Sequence, residues 1–280
     1  MTVTLELLSP AKLNLMLHIN SRLANGYHHL QTIFQLLDYG DDMHFHCNDS
    51  GNITLQADFP GLALEQNLIY RAARLLQSHT CSRFGCDIAI DKILPQGGGI
   101  GGGSSNAATT LVALNYLWQT GLNVDQLAQL GLKLGADVPV FVRGTSAWAE
   151  GVGEKLTPVE LPECWFVVIK PPVQVATTKI FQHPDLTRNT PLITIRTALT
   201  RGGHNDCEKL VCSLYPEVQD VFDQLTLYGK PKLTGTGACV YTECSSEAEA
   251  RKILAHMQPE FEGFVAKAMN KSPLCELLIR

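Results

Sequence analysis

Residues 11–19 alternate in character with period two. Ala11, Leu13, Leu15, Leu17 and Ile19 fall on one side, and Lys12, Asn14 and His18 on the other, which is the pattern of a half-buried strand. Asn25-Gly26 then supplies a turn, and the apolar-rich stretch 30–39 reads as a second strand. The period lengthens at 67–78, where Leu68, Ile69, Ala72, Ala73, Leu75 and Leu76 recur at helical spacing. A strand over 86–94, centred on Ile88, Ala89 and Ile90, runs into a glycine-rich loop. Two helices follow. One covers 104–119 with Ala107, Ala108, Leu111, Val112, Leu114, Leu117 and Trp118 at its apolar positions; the other covers 125–134, and Gly135 ends it.

Beyond Gly153 the texture changes. Pro158, Pro162, Pro171 and Pro172 flank a short apolar strand at 165–169, and a loop-rich stretch continues to Asn205. A helix over 206–227 follows, for which Asn205 and Asp206 read as capping residues. A turn at Gly235 and Gly237, a strand over 238–242 and a helix over 246–257 complete the pattern. Strands and helices mix without a steady βαβ rhythm, so the expected class is α+β rather than a doubly wound sheet. At 280 residues the chain is near the size at which single cores stop growing, and a division near residue 155 is expected, into units 1–155 and 156–280. No internal repeat, low-complexity tract or charge block interrupts either half.

Composition narrows the classes. Hydrophobic residues make up 45% and charged residues 18%, which is ordinary for a globular protein with a buried core. A formal charge of −5 argues against nucleic acid or an anionic membrane as partner. An anionic ligand would therefore be held by local donors. The nine cysteines are odd in number, and three pairs (Cys81/Cys86, Cys207/Cys212, Cys239/Cys244) share a C-x4-C spacing that is not a zinc knuckle. Reduced thiols in a cytoplasmic protein are the expectation, since the N-terminus lacks a signal-peptide pattern and no apolar run approaches the roughly 18–20 residues that span a bilayer.

The chemistry gathers at Pro95-Gln96-Gly97-Gly98-Gly99-Ile100-Gly101-Gly102-Gly103-Ser104-Ser105-Asn106. Six glycines in seven positions suit neither helix nor strand, because each loses the most backbone entropy on ordering. Without Cβ atoms, several N–H groups can turn toward one anion. The helix that begins at Ser104 or Ser105 points its unpaired amides and positive dipole end at the same place. A flexible loop before a serine-capped helix is the plainer alternative. The run lacks the lysine of a Walker loop. It does satisfy Gly97-x-Gly99-x-x-Gly102, but 118–123 holds no acidic residue where a dinucleotide fingerprint wants one.

This loop resembles the second motif of the GHMP kinases, the superfamily of galactokinase, homoserine kinase and mevalonate kinase. Ser9-Pro10-Ala11-Lys12-Leu13-Asn14-Leu15 is similar to its N-terminal motif, and Leu233-Thr234-Gly235-Thr236-Gly237-Ala238-Cys239 to its C-terminal glycine motif. Gly26-Tyr27-His28, Leu134-Gly135-Ala136-Asp137-Val138-Pro139-Val140-Phe141 and Asn205-Asp206-Cys207-Glu208 point to the members whose acceptor is a cytidine-diphosphate-linked alcohol. Ile100 stands where a leucine is usual.

The resemblance implies a ribosomal-protein-S5-like N-terminal domain, a ferredoxin-like C-terminal domain and a cleft between them. It implies ATP with Mg2+, held at Pro95, Gln96, Gly97, Gly98, Gly99, Ile100, Gly101, Gly102, Gly103, Ser104 and Ser105, and no dedicated protein metal site. Asp137 matches the catalytic aspartate, the base for the acceptor hydroxyl; as a bare sequence, Asp137-Val138-Pro139 also suits a helix N-cap. Lys12 matches the catalytic lysine, which would offset charge developing in the transition state; alone it would read as a solvent-facing lysine on an edge strand. Asn14, Tyr27, His28, Thr177, Phe181, Gly235, Thr236 and Gly237 match substrate positions, with Tyr27 and Phe181 beside the cytosine and His28 at its edge. Turn packing is the plain reading of Tyr27 and His28. Other kinases of the superfamily, of homoserine or mevalonate type, and a non-catalytic ligand sensor are the alternatives. A monomer and a homodimer are equally compatible with the sequence.

Overall fold

A computed structural model of the chain describes residues 4–56 and 62–278. Two long strands open it, β1 (Thr4–Arg22) and β2 (His28–Asn48), paired antiparallel along their length and joined through the Asn25-Gly26 turn. Then come β3 (Ile53–Gln56), α1 (Leu68–Thr80), β4 (Gly85–Asp91), α2 (Gly102–Leu117), α3 (Val124–Leu132) and α4 (Val138–Arg143). The hairpin of β5 (Ala147–Glu150) and β6 (Lys155–Pro158) leads to β7 (Trp165–Lys170). The remainder is α5 (Thr177–Gln182), α6 (Ile195–Arg201), α7 (Glu208–Leu214), α8 (Pro216–Leu225), β8 (Lys232–Leu233), β9 (Val240–Cys244), α9 (Glu247–Met257) and β10 (Glu262–Met269).

The strands form one mixed sheet in the order β3-β4-β2-β10-β7-β9-β8, with β1 and β5 also on β2 and β6 on β5. Every ladder is antiparallel except β3–β4, whose connection carries α1. The class is α+β, as the element pattern implies. Near the centre, β10 pairs with β7 on one side and, through Ala268↔Leu37 and Met269↔Leu36, with β2 on the other.

Local signals explain the helices. Asn67 accepts from the Ile69 amide to cap α1, which buries Ile69, Ala72, Ala73 and Leu76. Asn123 and Gln126 form a reciprocal capping box on α3. The central helix, α2, is buried at every position from Ser105 to Leu114, so it shows no polar stripe. Its small residues Ala107, Ala108 and Ala113 let α1, α4 and β1 approach closely.

Several expectations are corrected. The first strand is not half-buried: Lys12, Asn14 and His18 are as buried as the apolar set. Register shifts between Pro10 and Lys12, Asn14 and Met16, and Ile19 and Ser21 break its alternation, leaving Leu15 partly exposed while Met16 is enclosed. The helix expected over 206–227 is two, α7 and α8. Pro216 supplies no amide hydrogen for a continuous ladder and instead starts the second. The loop-rich stretch before Asn205 contains α5 and α6. Asn205 and Asp206 do not cap α7, whose N-cap is Cys207.

Candidate active site

Strand β1 forms the floor. Lys12 is only 3% exposed, and its ammonium donates to Asn14 Oδ1 at 2.6 Å and to the Gly99 carbonyl at 3.0 Å, facing Asp137 Oδ2 at 3.3 Å. The solvent-facing edge lysine is thereby overturned. Asn14 is fixed as well: its amide nitrogen donates to Thr32 Oγ1 at 2.8 Å, and that hydroxyl donates to the Met16 carbonyl at 2.6 Å. Asp137 occupies the N-cap position of α4, yet its carboxylate makes no capping hydrogen bond. It is about one-third exposed and turned to Lys12, available to a ligand hydroxyl.

The glycine loop lies across this floor. The Lys12 amide donates to the Ile100 carbonyl at 3.0 Å, and the Thr234 hydroxyl donates to the Gly99 carbonyl at 3.1 Å. On the far side, the amides of Ala238 and Cys239 donate to the Gly97 and Gly98 carbonyls. Close approach of two backbones explains Gly99, where a Cβ would run into the Thr234 carbonyl oxygen. Gly101, at φ +77°, turns the chain into α2 in the left-handed region that a side chain resists. The first residues of α2, Gly102, Gly103 and Ser104, line the cavity with amides that a helix leaves without partners of its own.

Ser105 turns the other way. It is fully buried, with Ser9 Oγ 2.9 Å from its hydroxyl and 2.7 Å from Asn106 Oδ1, so it ties α2 to β1 and does not line the cavity. Gly237 likewise sits behind the lining, against Leu233 and Val211.

One cavity of about 990 Å³ gathers the rest. Its lining brings together Pro95 to Ser104, Lys12 and Asp137 with Asn14, Tyr27, His28, Thr177, Phe181, Gly235 and Thr236. That volume is at the upper end for a small-molecule site. Tyr27 is 61% exposed, whereas His28 is buried and its ring stacks on Phe181 with centroids 5.2 Å apart. Burial, reinforced by Arg188 and then Arg22, pushes the His28 imidazole below its ordinary value. The Thr177 and Thr236 hydroxyls are 3.0 Å apart.

Some contributors carried no signal of their own in the sequence. Arg188 contacts His28 from 160 residues away, and no motif marks it. Lys92 lines the cavity and is held by Asp41 at 2.7 Å. Thr234 lies inside a quoted motif, but only its position between loop and floor shows its role. Asn205 donates to the Leu233 and Gly235 carbonyls, holding the second glycine turn rather than a helix end. The cysteines are unpaired, and burial pushes the Cys239 thiol behind the glycine loop up to about 12, so it is no nucleophile at neutral pH. Among the described residues no cluster of three His, Cys, Asp or Glu could hold a metal, and no helix is long and apolar enough to cross a membrane.

Residues 67–145 match the GHMP kinases N-terminal domain and 185–262 the GHMP kinases C-terminal domain. The chain is 55% identical to 4-diphosphocytidyl-2-C-methyl-D-erythritol kinase of Actinobacillus pleuropneumoniae over 99% of its length and 98% of that protein. It is 56% identical to the protein of the same name from Vibrio cholerae, over 96% of this chain and 93% of that one. A crystal structure of 4-(cytidine 5'-diphospho)-2C-methyl-D-erythritol kinase superposes with a TM-score of 0.81 at 30% identity, covering 94% of this chain and 99% of the other. Mevalonate kinase of Methanococcus jannaschii superposes with a TM-score of 0.68 at 16% identity, covering 96% and 99% of the two chains, a likeness of fold alone.

Proposed function

The chain belongs to the GHMP kinases, and from that membership we propose that it transfers the γ-phosphoryl group of ATP to the 2-hydroxyl of 4-diphosphocytidyl-2-C-methyl-D-erythritol. The products are the 2-phosphate and ADP, a step of non-mevalonate isoprenoid precursor synthesis. The observation that carries the reading is the Lys12–Asp137 pair, 3.3 Å apart in the one cavity that the glycine loop, Tyr27, His28 and Phe181 also line. Phosphoryl transfer needs positioning and charge neutralisation more than covalent chemistry, and these residues supply both.

ATP would enter as its Mg2+ complex, the ion supplying charge neutralisation at the phosphates. The amides of the loop and of the first turn of α2 hold the phosphates. Asp137 accepts the proton of the acceptor hydroxyl as its oxygen attacks phosphorus and the bond to the ADP oxygen breaks. Lys12, already fixed by Asn14 and Gly99, stabilises charge on the transferring group without reorganising. Tyr27 and Phe181 would flank the cytosine with His28 at its edge, and the binding energy gained there would serve orientation at the reacting centre.

The test is ADP release with Mg-ATP and the cytidine substrate, alongside homoserine and mevalonate. Turnover of the cytidine compound alone is expected, whereas preference for another alcohol would discard the substrate assignment. Asp137→Asn should abolish turnover with ATP binding retained; near-normal turnover would remove Asp137 from the role of base.

A further inference from the structure

Arg188 has no place in the chemistry just described and does not itself line the cavity, yet its guanidinium is bonded throughout to the segment that carries Phe181 and to His28. Its Nε donates to His28 Nε2 at 3.1 Å. Nη2 donates to the Phe181 carbonyl at 2.9 Å and the His183 carbonyl at 2.6 Å, and Nη1 to the Leu186 carbonyl at 3.1 Å and, more weakly, to Pro184 at 3.4 Å. All five N–H groups are directed at acceptors, so the guanidinium is locked in orientation. A guanidinium has donors and no acceptor, and it does not lose its charge in proteins. The nitrogen it faces must therefore be the unprotonated one. A neutral imidazole with Nε2 as acceptor carries its hydrogen on Nδ1. Nδ1 has no hydrogen-bond partner among the described residues, and His28 lines the cavity.

We propose that Arg188 is a positioning residue that holds His28 as the neutral tautomer protonated on Nδ1, so that the nucleobase part of the cavity presents a fixed hydrogen-bond donor. The consequence for specificity rests on the cytidine reading above. An Nδ1–H donor complements a base whose ring N3 is an acceptor, as in cytosine, and opposes one whose N3 carries hydrogen, as in uracil. A free histidine could adapt to either base by moving its proton; one tied to Arg188 cannot. The same guanidinium holds the backbone carbonyl of Phe181, whose ring stacks on His28, so one side chain ties the two residues together. Arg22, at the end of β1, is the other cation facing His28, and it too disfavours a second proton on the ring.

Histidine-selective 15N NMR of the ligand-free protein, with the His28 signal identified by its loss in His28→Gln, reads the tautomer directly. Nδ1 should be protonated and Nε2 unprotonated near pH 7.5; hydrogen on Nε2 would overturn the proposal whatever the substrate. In Arg188→Met the hydrogen should redistribute to Nε2, while Arg188→Lys, which keeps a donor-only cation, should restore Nδ1–H. Kinetically, the preference in kcat/KM for the cytidine substrate over its uridine counterpart should shrink roughly tenfold in Arg188→Met, the size of one hydrogen bond. The change should fall on KM for that substrate and leave KM for ATP unmoved. Equal losses for both bases, with His28 still protonated on Nδ1, would reduce Arg188 to a loop fastener and sink the idea. If the wild-type protein turns over neither nucleotide compound, the functional reading fails, and the ligand-free spectrum still decides the role of Arg188. Should Arg188→Met not fold, the wild-type and Arg188→Lys spectra suffice.

Discussion

Lys12 is a cation nearly sealed from solvent, with a carboxylate, a side-chain carbonyl and a backbone carbonyl around it. Such an arrangement is fixed before the substrate arrives, which is what electrostatic catalysis requires. Lys12→Met is therefore expected to fold and to lose kcat by about 10²–10³, as when one preorganised donor is removed elsewhere; steady-state ADP release measures it. His18, further along the same strand, is buried with neither ring nitrogen bonded. Burial and then His204 push its pKa below the ordinary 6.5, and Asp206 opposes them only in part. The unfolded chain thus binds the proton more readily than the folded one, so His18 costs the fold stability as pH falls from 6.5 toward its lowered folded value. His18→Leu should flatten the fall of Tm over that window, leaving a residual slope of the same sign from His28. An unchanged slope would remove His18 as the cause. At this scale the sequence was informative where chemistry demands a motif, as at Lys12, Asp137 and the glycines. It was silent on Arg188, whose importance arises only when the segment after α5 folds against the start of β2.

Elements carry their own bonds to the site. The entry to the glycine loop is pinned by Asp41 of β2, a fully buried carboxylate accepting from Lys92 at 2.7 Å and from the amides of Ile93 and Leu94 at 2.9 and 2.7 Å. Asp41→Ala leaves two amides without their acceptor and the Lys92 ammonium without its counter-charge, bonded only to the Leu94 carbonyl. The expected cost is about 3–5 kcal/mol in denaturant unfolding, with KM for ATP raised because the loop loses its anchor. A loss below about 1 kcal/mol would mean that water replaces the carboxylate. The elements most legible in the sequence, α1, α3 and α9, have one polar face and a capping side chain. Those least legible lack such signals. Strand β10 has no place in the elements read from the sequence: its buried positions are Phe264, Ala266 and Ala268, two of them small alanines that make a weak apolar signal, yet it joins β7 to β2. The alternation of β1 was misread because three register irregularities move its side chains between faces, and both faces are covered.

At the scale of the molecule, the question is whether the two halves of the chain unfold separately. Two apolar clusters lie mainly in the first and second halves, and a third joins them: Leu13, Leu37, Leu94 and Ile100 pack with Phe166, Val168, Tyr241 and Phe264. The β10–β2 ladder across this seam is only two residue pairs long. The glycine loop also accepts from Ala238 and Cys239, and Leu17 and Ile19 bond to the 204–206 segment, so apolar packing and hydrogen bonds share the coupling. Phe166, buried and edge-on to Tyr241 with centroids 5.6 Å apart, sits within it. Urea unfolding of the wild-type protein should give one transition that coincides by far-ultraviolet circular dichroism and tryptophan fluorescence. Phe166→Ala should lower stability by about 3–5 kcal/mol and separate the two probes. Ile100 makes the glycine loop part of the same seam, so Mg-ATP should stabilise the whole wild-type transition, by about 2.7 kcal/mol at a hundred times its Kd. In Phe166→Ala it should shift only the phase that contains the loop. A wild-type protein that already unfolds in two steps, with ATP moving one of them, would instead favour two weakly coupled units divided near residue 155, and the seam would then serve to align the cleft rather than to hold the fold together.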